Sequence, residues 1–198
     1  MQATFRMDEL TGSDRPVKPW MKAAPAIITI GIIAAFAAHG RIAQPVHYND
    51  FADHSALPGI PHAGDVLSNA GFALVAIWGW LVLWPHRNSD RLRDGWPGYR
   101  LFLIGLLLTA FGSAFFHLAP GNGRLTWDML PIALVGAGLL AGVRGDRQRH
   151  ATTNIEAIGL GLYAVASVAW WVVTDRHGAG DLRPYLVLQV LPLILIPL

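Results

Sequence analysis

Three side chains capable of chemistry lie close together in an otherwise apolar stretch of the sequence. Ser113 and His117 are spaced i, i+4, so on a helix they share one face. Asp128 follows after a connector that contains the turn-forming sequence Pro-Gly-Asn-Gly at 120–123. Two antiparallel helices flanking this connector would bring a hydroxyl, an imidazole and a carboxylate to one depth. Such a set can transfer protons or contribute ligands to a metal ion.

Each of these residues also has an ordinary structural explanation. A serine in a spanning helix often hydrogen-bonds its own backbone, and His117 could be an interfacial histidine at the water boundary. Asp128 could be a helix N-terminal acid favoured by the macrodipole. Gly112, next to Ser113, favours the close approach of a neighbouring helix. The chemical interpretation therefore depends on the three polar residues taken together.

The composition around this group is that of a membrane protein. The chain is 53% hydrophobic and 14% charged, whereas soluble domains have about 25% charged residues. Because lipid cannot solvate ions, the charges gather in short clusters between apolar runs. The net charge is only +2 and the basic residues fall in loops, so nucleic-acid binding is not predicted. With no cysteine in the sequence, any metal would need His, Asp or Glu ligands.

Hydropathy predicts an all-α, polytopic transmembrane helical bundle with six spans. Residues 1–22 are predicted to be a polar cytoplasmic tail, and residues 23–198 the transmembrane domain. The first apolar run is short for a span, which needs about 20 residues, so a signal peptide stays open there. The sequence stops inside an apolar run, and we expect further spans in a longer protein. The predicted spans are 23–38, 66–84, 101–118, 127–143, 155–173 and 185–198.

The distribution of lysine and arginine predicts a cytoplasmic N-terminus. With that orientation, eleven of the fifteen basic residues fall in inside segments and four outside. The same orientation puts Ser113, His117 and Asp128 near the outer face. A bacterial-type inner membrane is the expected location.

The predicted outer loop 39–64 is rich in histidine and aspartate. We interpret its histidines as solvated side chains. Just after the loop, polar residues occupy the outer end of the second span. The polar residues concerned are His47, Asp50, Asp53, His54, His62, Asp65, Ser68 and Asn69.

Two segments of the sequence resemble the signature of the alkaline ceramidase family. Gly-Ser-Ala-Phe-Phe-His at 112–117, followed by Asp-Met-Leu-Pro at 128–131, is similar to that family's G-S-x-x-F-H and D-x-L-P. The segments 48–53 and 65–69 are similar to its acidic loop and Ser-Asn motif. The resemblance covers residues 48–198 and implies a seven- or eight-span fold. It also implies membership of a superfamily of seven-span hydrolases that includes adiponectin and progestin-type receptors.

The resemblance implies a role for each matching residue. His117 would be one of three histidine ligands of a catalytic zinc, and Asp128 would hydrogen-bond or deprotonate the metal-bound water. Ser113 would help to stabilise the developing oxyanion, and Asp50 and Asp53 would match acidic ligands of a calcium site. The residues Asp65, Ser68 and Asn69 would support the site.

The sequence departs from the family at the other two zinc ligands. In the family these come from an H-x-x-x-H motif on the last span, and no H-x-x-x-H occurs in these 198 residues. One histidine cannot hold a catalytic zinc, which normally takes three protein ligands. We therefore expect an incomplete metal site in the sequence as given.

The expected activity is zinc-dependent hydrolysis of the amide bond in a ceramide-like N-acyl lipid, giving a fatty acid and a sphingoid-type base. Zinc lowers the pKa of bound water from about 15.7 to about 7, and a site within the bilayer favours a membrane lipid as substrate. A non-enzymatic receptor or sensor with a structural metal remains an alternative. A metal transporter is the third, although the inner halves of the spans carry almost no charged side chains.

Overall fold

The computed structural model describes residues 19–148 and 153–198, which form an all-α transmembrane helical bundle. The helices are α1 (Pro19–His39), α2 (Ala63–Ser68), α3 (Ala70–Leu83), α4 (Trp96–Leu118), α5 (Asn122–Gln148), α6 (Thr153–Arg176) and α7 (Arg183–Leu195). A 3₁₀ turn, Trp84–His86, continues α3. In the loop between α1 and α2, the strands β1 (Ala56–Leu57) and β2 (Ile60–Pro61) pair as a short antiparallel hairpin.

Four helical stretches in the described residues are long and apolar enough to cross a membrane. They are Ala63–His86, Trp96–Leu118, Asn122–Arg147 and Thr153–Arg176, and two shorter apolar helices are Ala23–His39 and Arg183–Leu195. Large apolar side chains cover their outward faces, and Trp78 and Phe111 are 68% and 69% exposed. A continuous exposed apolar surface of this kind is stable in lipid and unfavourable in water.

Helices α1, α4, α5 and α6 extend beyond the apolar runs from which they were predicted, whereas α7 ends at Leu195 rather than at 198. Helix α4 begins at Trp96 rather than at 101, with Pro97 in the first turn, where a missing N–H costs no hydrogen bond. Helix α5 begins at Asn122 rather than at 127. Helix α1 begins at Pro19, so residues 19–22 are helical rather than part of the tail. The remainder of the predicted tail, residues 1–18, lies outside the described residues.

The extra residues matter most for α1. Its 21 residues correspond to about 32 Å at about 1.5 Å per residue, close to the hydrocarbon thickness of a bilayer. Thr29 donates its hydroxyl to the carbonyl of Pro25 at 2.8 Å, which satisfies a polar side chain on an otherwise apolar helix. The C-terminal half of α1 packs through Ile32 and Phe36 against the cluster formed by α5 and α7.

Glycines bring α4 and α5 into backbone contact along their length. A Cβ atom at Gly98 would overlap the backbone of Gly142, and one at Gly112 would overlap the carbonyl oxygen of Trp127. The start of α4 thus meets the end of α5, and the end of α4 meets the start of α5, so the two helices are antiparallel. Small residues permit this approach, which gains van der Waals contact in place of a hydrophobic driving force.

Aromatic residues gather at the end of the bundle away from His117. The rings of Trp80 and Trp84 stack with centroids 5.4 Å apart, and Trp96 meets Trp84 edge-on. The guanidinium of Arg87 lies 4.1 Å from the Trp84 ring centroid. Amphipathic tryptophans beside a basic residue are typical of the membrane–water boundary.

At the end of the bundle that contains His117, the buried carboxylate of Asp181 links several segments. Asp181, in the connector before α7, accepts hydrogen bonds from Trp170 Nε1 at 3.1 Å and from Arg183 Nη2 at 2.8 Å. It also accepts a longer one, 3.4 Å, from the backbone N–H of Ile42. The Arg183 guanidinium holds the pKa of Asp181 well below its usual range. These contacts tie the loop after α1 to the α6–α7 connector.

Candidate functional site

Helices α4 and α5 bring the three predicted residues into one group. Ser113 and Asp128 are buried, with 7% and 8% of their surfaces exposed. Of the groups on α4, the Ser113 hydroxyl and the His117 imidazole lie beside the Asp128 carboxylate. The connector between the helices is only residues 119–121, so the end of α4 and the start of α5 cannot move apart. The site is therefore built on two rigid elements.

The ordinary explanation for Asp128 does not match its position. It lies in the second turn of α5, about 9 Å along the axis from Asn122 at about 1.5 Å per residue. The helix macrodipole acts within the first turn, so it does not explain a buried acid at this depth. On α4, it is Thr109 whose hydroxyl donates a hydrogen bond to the helix backbone, to the carbonyl oxygen of Gly105 at 2.9 Å. Ser113, one turn along, faces Asp128 instead.

Two buried polar atoms of this group have no hydrogen-bond partner among the described residues. They are Nδ1 of His117 and Oδ1 of Asp128. Oδ2 of Asp65 lies 3.5 Å from His117 Nδ1, which is within ion-pair range but too long for a hydrogen bond. Unpaired buried polar atoms are rare in folded proteins. Both atoms are free to bind a ligand.

Helix α2 carries Asp65, the acidic residue beside His117. The backbone carbonyl of Asp65 accepts the Ser68 hydroxyl at 2.9 Å and the Asn69 side-chain amide at 2.7 Å. Asn69 is 4% exposed and lies at the break between α2 and α3. Ser68 and Asn69 were predicted in the first turn of a span, but α2 begins earlier, at Ala63. Both side chains bond the backbone one turn earlier, at Asp65 itself.

An aromatic side chain from the loop covers His117. The ring of Phe51 lies 4.5 Å from the imidazole, centroid to centroid, and 5.3 Å from the ring of Phe116. On its other side it meets His62 edge-on at 5.5 Å. This packing shields one face of the imidazole.

Two tyrosines complete the group, and sequence analysis did not find them. Tyr48 lies in the loop after α1 and Tyr185 in the first turn of α7, and the Asp128 carboxylate acts on both phenols. Partial burial first, and then Asp128, raises the pKa of Tyr48, so this phenol stays protonated at neutral pH. The sequence feature that could have indicated Tyr185 is its position as the first residue of a predicted span, at the same depth as Asp128.

A polar network positions the loop that carries Tyr48. The side-chain oxygen Oδ1 of Asn122, the first residue of α5, accepts hydrogen bonds from the side-chain amides of Gln44 and Asn49, each at 3.2 Å. Its own amide donates to both carboxylate oxygens of Asp175 at the end of α6, at 3.2 and 3.1 Å. The start of α5 thus anchors the loop on both sides of Tyr48.

The two predicted calcium ligands have different partners. Asp50 is exposed, and its Oδ2 pairs with Nδ1 of His47 at 2.8 Å. Asp53 accepts backbone N–H groups from Ser55 at 2.8 Å and from Asp65 at 2.9 Å. Asp53 therefore caps the start of α2 from outside the helix. The hydroxyl of Ser55 holds a further N–H of this turn, that of Gly64, at 3.0 Å.

The capping role of Asp53 predicts a pH dependence. The Ser55 hydroxyl, then the N–H groups of Asp65 and Ser55, lower the pKa of Asp53 from 3.8 to about 2. A carboxyl whose folded pKa is depressed stabilises the fold above its unfolded pKa, and this contribution is lost as the pH falls from about 4 through about 2. We expect an NMR titration of the Asp53 carboxyl carbon to show a midpoint near 2, and Ser55→Ala to raise it. A midpoint near 4 in the unmodified protein would contradict the capping geometry.

The described residues do not by themselves fit a catalytic zinc. Among residues 19–148 and 153–198, no group of three His, Asp or Glu side chains is arranged to hold a metal ion. His117 brings one imidazole, with Asp65 and Asp128 as its acidic neighbours. The set suits proton transfer and the binding of a polar group more directly than it suits a three-ligand metal site.

Three comparisons with known proteins found no match. No protein-family model matches the sequence, and neither a curated protein nor a solved structure matches the chain. The fold and the site geometry therefore carry the functional argument.

Proposed function

We propose that this protein is a membrane-embedded hydrolase that cleaves the amide bond of a ceramide-like N-acyl lipid to a fatty acid and a sphingoid-type base. The observation that carries the proposal is the buried carboxylate of Asp128, with one unpaired oxygen, beside Ser113 and His117. The similarity of these residues to the alkaline ceramidase signature supports the same activity. Release of fatty acid from an N-acyl sphingoid lipid is the direct test.

Amide hydrolysis assigns a task to each of these side chains. Water adds to the amide carbonyl while Asp128 Oδ1 accepts its proton as general base. The Ser113 hydroxyl donates a hydrogen bond to the oxygen that becomes negative at the carbonyl. When the C–N bond breaks, the carboxylic acid of Asp128 returns the proton to the leaving amine. Tyr48, a neutral phenol at working pH, is a second donor at the mouth of the site.

The proposal includes zinc and calcium as bound ions, and the support for each is different. For zinc, His117 is proposed as one ligand, with the remaining ligands from residues outside the described ranges; the described residues alone do not complete the site. For calcium, Asp50 and Asp53 are the proposed acids, on the resemblance of the loop. No step of the hydrolysis above is assigned to either ion.

The proposed location is a bacterial-type inner membrane with the N-terminus in the cytoplasm. The excess of lysine and arginine on one side supports this orientation. The site would then lie near the outer face, because Ser113, His117 and Asp128 sit at the end of the bundle opposite to Arg87 and Arg144. A lipid in the outer leaflet would reach it laterally.

The zinc proposal predicts a change in metal content when the imidazole is removed. We expect the natural protein in detergent to contain about one zinc per chain. We expect His117→Ala to lose it, because the two remaining ligands of a three-ligand site cannot hold the ion without the third. Elemental analysis of the two purified proteins measures this. His177→Ala, which removes an exposed histidine at the end of α6, is the matched control. Zinc retained in His117→Ala would contradict the proposed ligand.

A further inference from the structure

A second cavity lies at the end of the bundle away from Asp128. It has a volume of about 560 Å³ and is lined by α1, α5, α6 and α7. Its walls are mostly apolar, and among the described residues its charged lining residues are Arg144 of α5 and Glu156 of α6. This volume falls within the range of about 300–1,000 Å³ that small-molecule sites occupy.

The cavity exists because α1 diverges from the bundle. In the C-terminal half of α1, Ile32 and Phe36 pack against α5 and α7. In its other half, Pro25, Ala26 and Thr29 line the open space instead. The hydroxyl of Thr29 is already bonded to the Pro25 carbonyl, so α1 offers the cavity an apolar wall. The polar recognition must come from the pair on α5 and α6.

The Arg144–Glu156 pair is loose for a bidentate ion pair. Its two contacts are Nη2 to Oε1 at 3.3 Å and Nε to Oε2 at 3.4 Å, whereas charge-assisted hydrogen bonds are about 2.7–2.9 Å long. The two side chains keep 32% and 28% of their surfaces exposed. Among the contacts of the described residues, each charge therefore has unused hydrogen-bonding capacity beside an apolar cavity.

We propose that this cavity binds a membrane phospholipid with a zwitterionic head group that carries a primary ammonium. The phosphate would lie on Arg144, the ammonium on Glu156, and an acyl chain along the apolar walls. An anionic head group without an ammonium would offer the Glu156 carboxylate no cationic partner. A quaternary ammonium has no N–H to donate to that carboxylate. The pair thus matches phosphoethanolamine better than phosphoglycerol or phosphocholine.

Native mass spectrometry of the full chain in detergent tests the proposal. The protein is titrated with phosphatidylethanolamine, phosphatidylglycerol and phosphatidylcholine of identical acyl chains. We expect phosphatidylethanolamine to be retained about tenfold better than the other two, the effect of one hydrogen bond to a charged group. Glu156→Gln should remove the preference over phosphatidylcholine, and Arg144→Gln should weaken retention of all three lipids. Equal retention of the three lipids by the unmodified protein would overturn the proposal.

A cavity-filling pair of variants separates this site from lipid bound at random. A side chain at Gly159 of α6 would project into open space, and Gly159 lines the cavity. Gly71 of α3 also faces open space but lies elsewhere on the bundle. We expect Gly159→Phe to displace the lipid and Gly71→Phe to retain it. Equal retention by the two variants, with both folded as judged by helix content, would show that the cavity is not the site.

Discussion

Replacing Asp128 by asparagine is expected to lower the rate of amide hydrolysis by about 10²–10⁴-fold, the usual contribution of a positioned general base. The substitution keeps the shape of the side chain and a carbonyl oxygen toward Ser113, while it removes the oxygen that accepts the proton. Asp128 is 8% exposed and its Oδ1 has no partner in the described residues, so no other interaction depends on that oxygen. The fold should therefore persist. Fatty acid release per folded protein measures the effect.

The control for this variant is an aspartate that takes no part in the site. Asp90 is largely exposed in the connector between α3 and α4, where it pairs with Arg93, so Asp90→Asn should leave the rate unchanged. If Asp128→Asn hydrolyses as fast as Asp90→Asn, Asp128 is not the base. Loss of turnover in Asp128→Asn with zinc content unchanged would also argue against a non-enzymatic receptor or sensor.

Adding one methyl group at Gly112 is expected to destabilise the bundle by about 1–3 kcal/mol, the usual cost of overpacking. The Cβ atom of Gly112→Ala would overlap the backbone carbonyl oxygen of Trp127, so α4 and α5 would have to separate. That movement would also draw Ser113 away from Asp128 and lower activity. The midpoint of thermal unfolding in detergent measures the loss.

The matched substitution is Gly71→Ala, because a Cβ atom there meets nothing within 4 Å. It should raise or preserve the unfolding midpoint, since alanine has the higher helix propensity. A Gly112→Ala protein as stable as Gly71→Ala would mean that α4 and α5 do not approach as closely as described.

The pairing of α4 with α5 could be predicted because its determinants are local. The i, i+4 spacing of Ser113 and His117 fixes a helix face, and a short connector forces antiparallel neighbours. Gly112 indicated the close approach, which the structure extends to Gly98 and Gly142 along the same interface. The apolar runs located the helices but not their ends, because the polar turns that complete α4 and α5 carry no hydropathy signal.

The residues that surround this pair could not be predicted for a physical reason. Tyr48 and Tyr185 come near Asp128 only through the packing of the loop and of α7, which are far apart from it in sequence. Asp53 illustrates another difficulty. A loop carboxylate can bind a cation or backbone N–H groups, and the sequence alone did not indicate that Asp53 accepts the N–H of Asp65 at the start of α2. Asp181, which ties α6 and α7 to Ile42, gave no signal in the sequence.

The most direct test of the proposed function is fatty acid release from an N-acyl sphingoid lipid in mixed micelles by the purified natural protein. The lipid is supplied with a labelled acyl chain, and the zinc content and the helix content of the same preparation are recorded. We predict that fatty acid and sphingoid base appear in equal amounts, and that Asp128→Asn releases neither. A folded, zinc-containing protein that releases no fatty acid from N-acyl lipids would contradict the proposal.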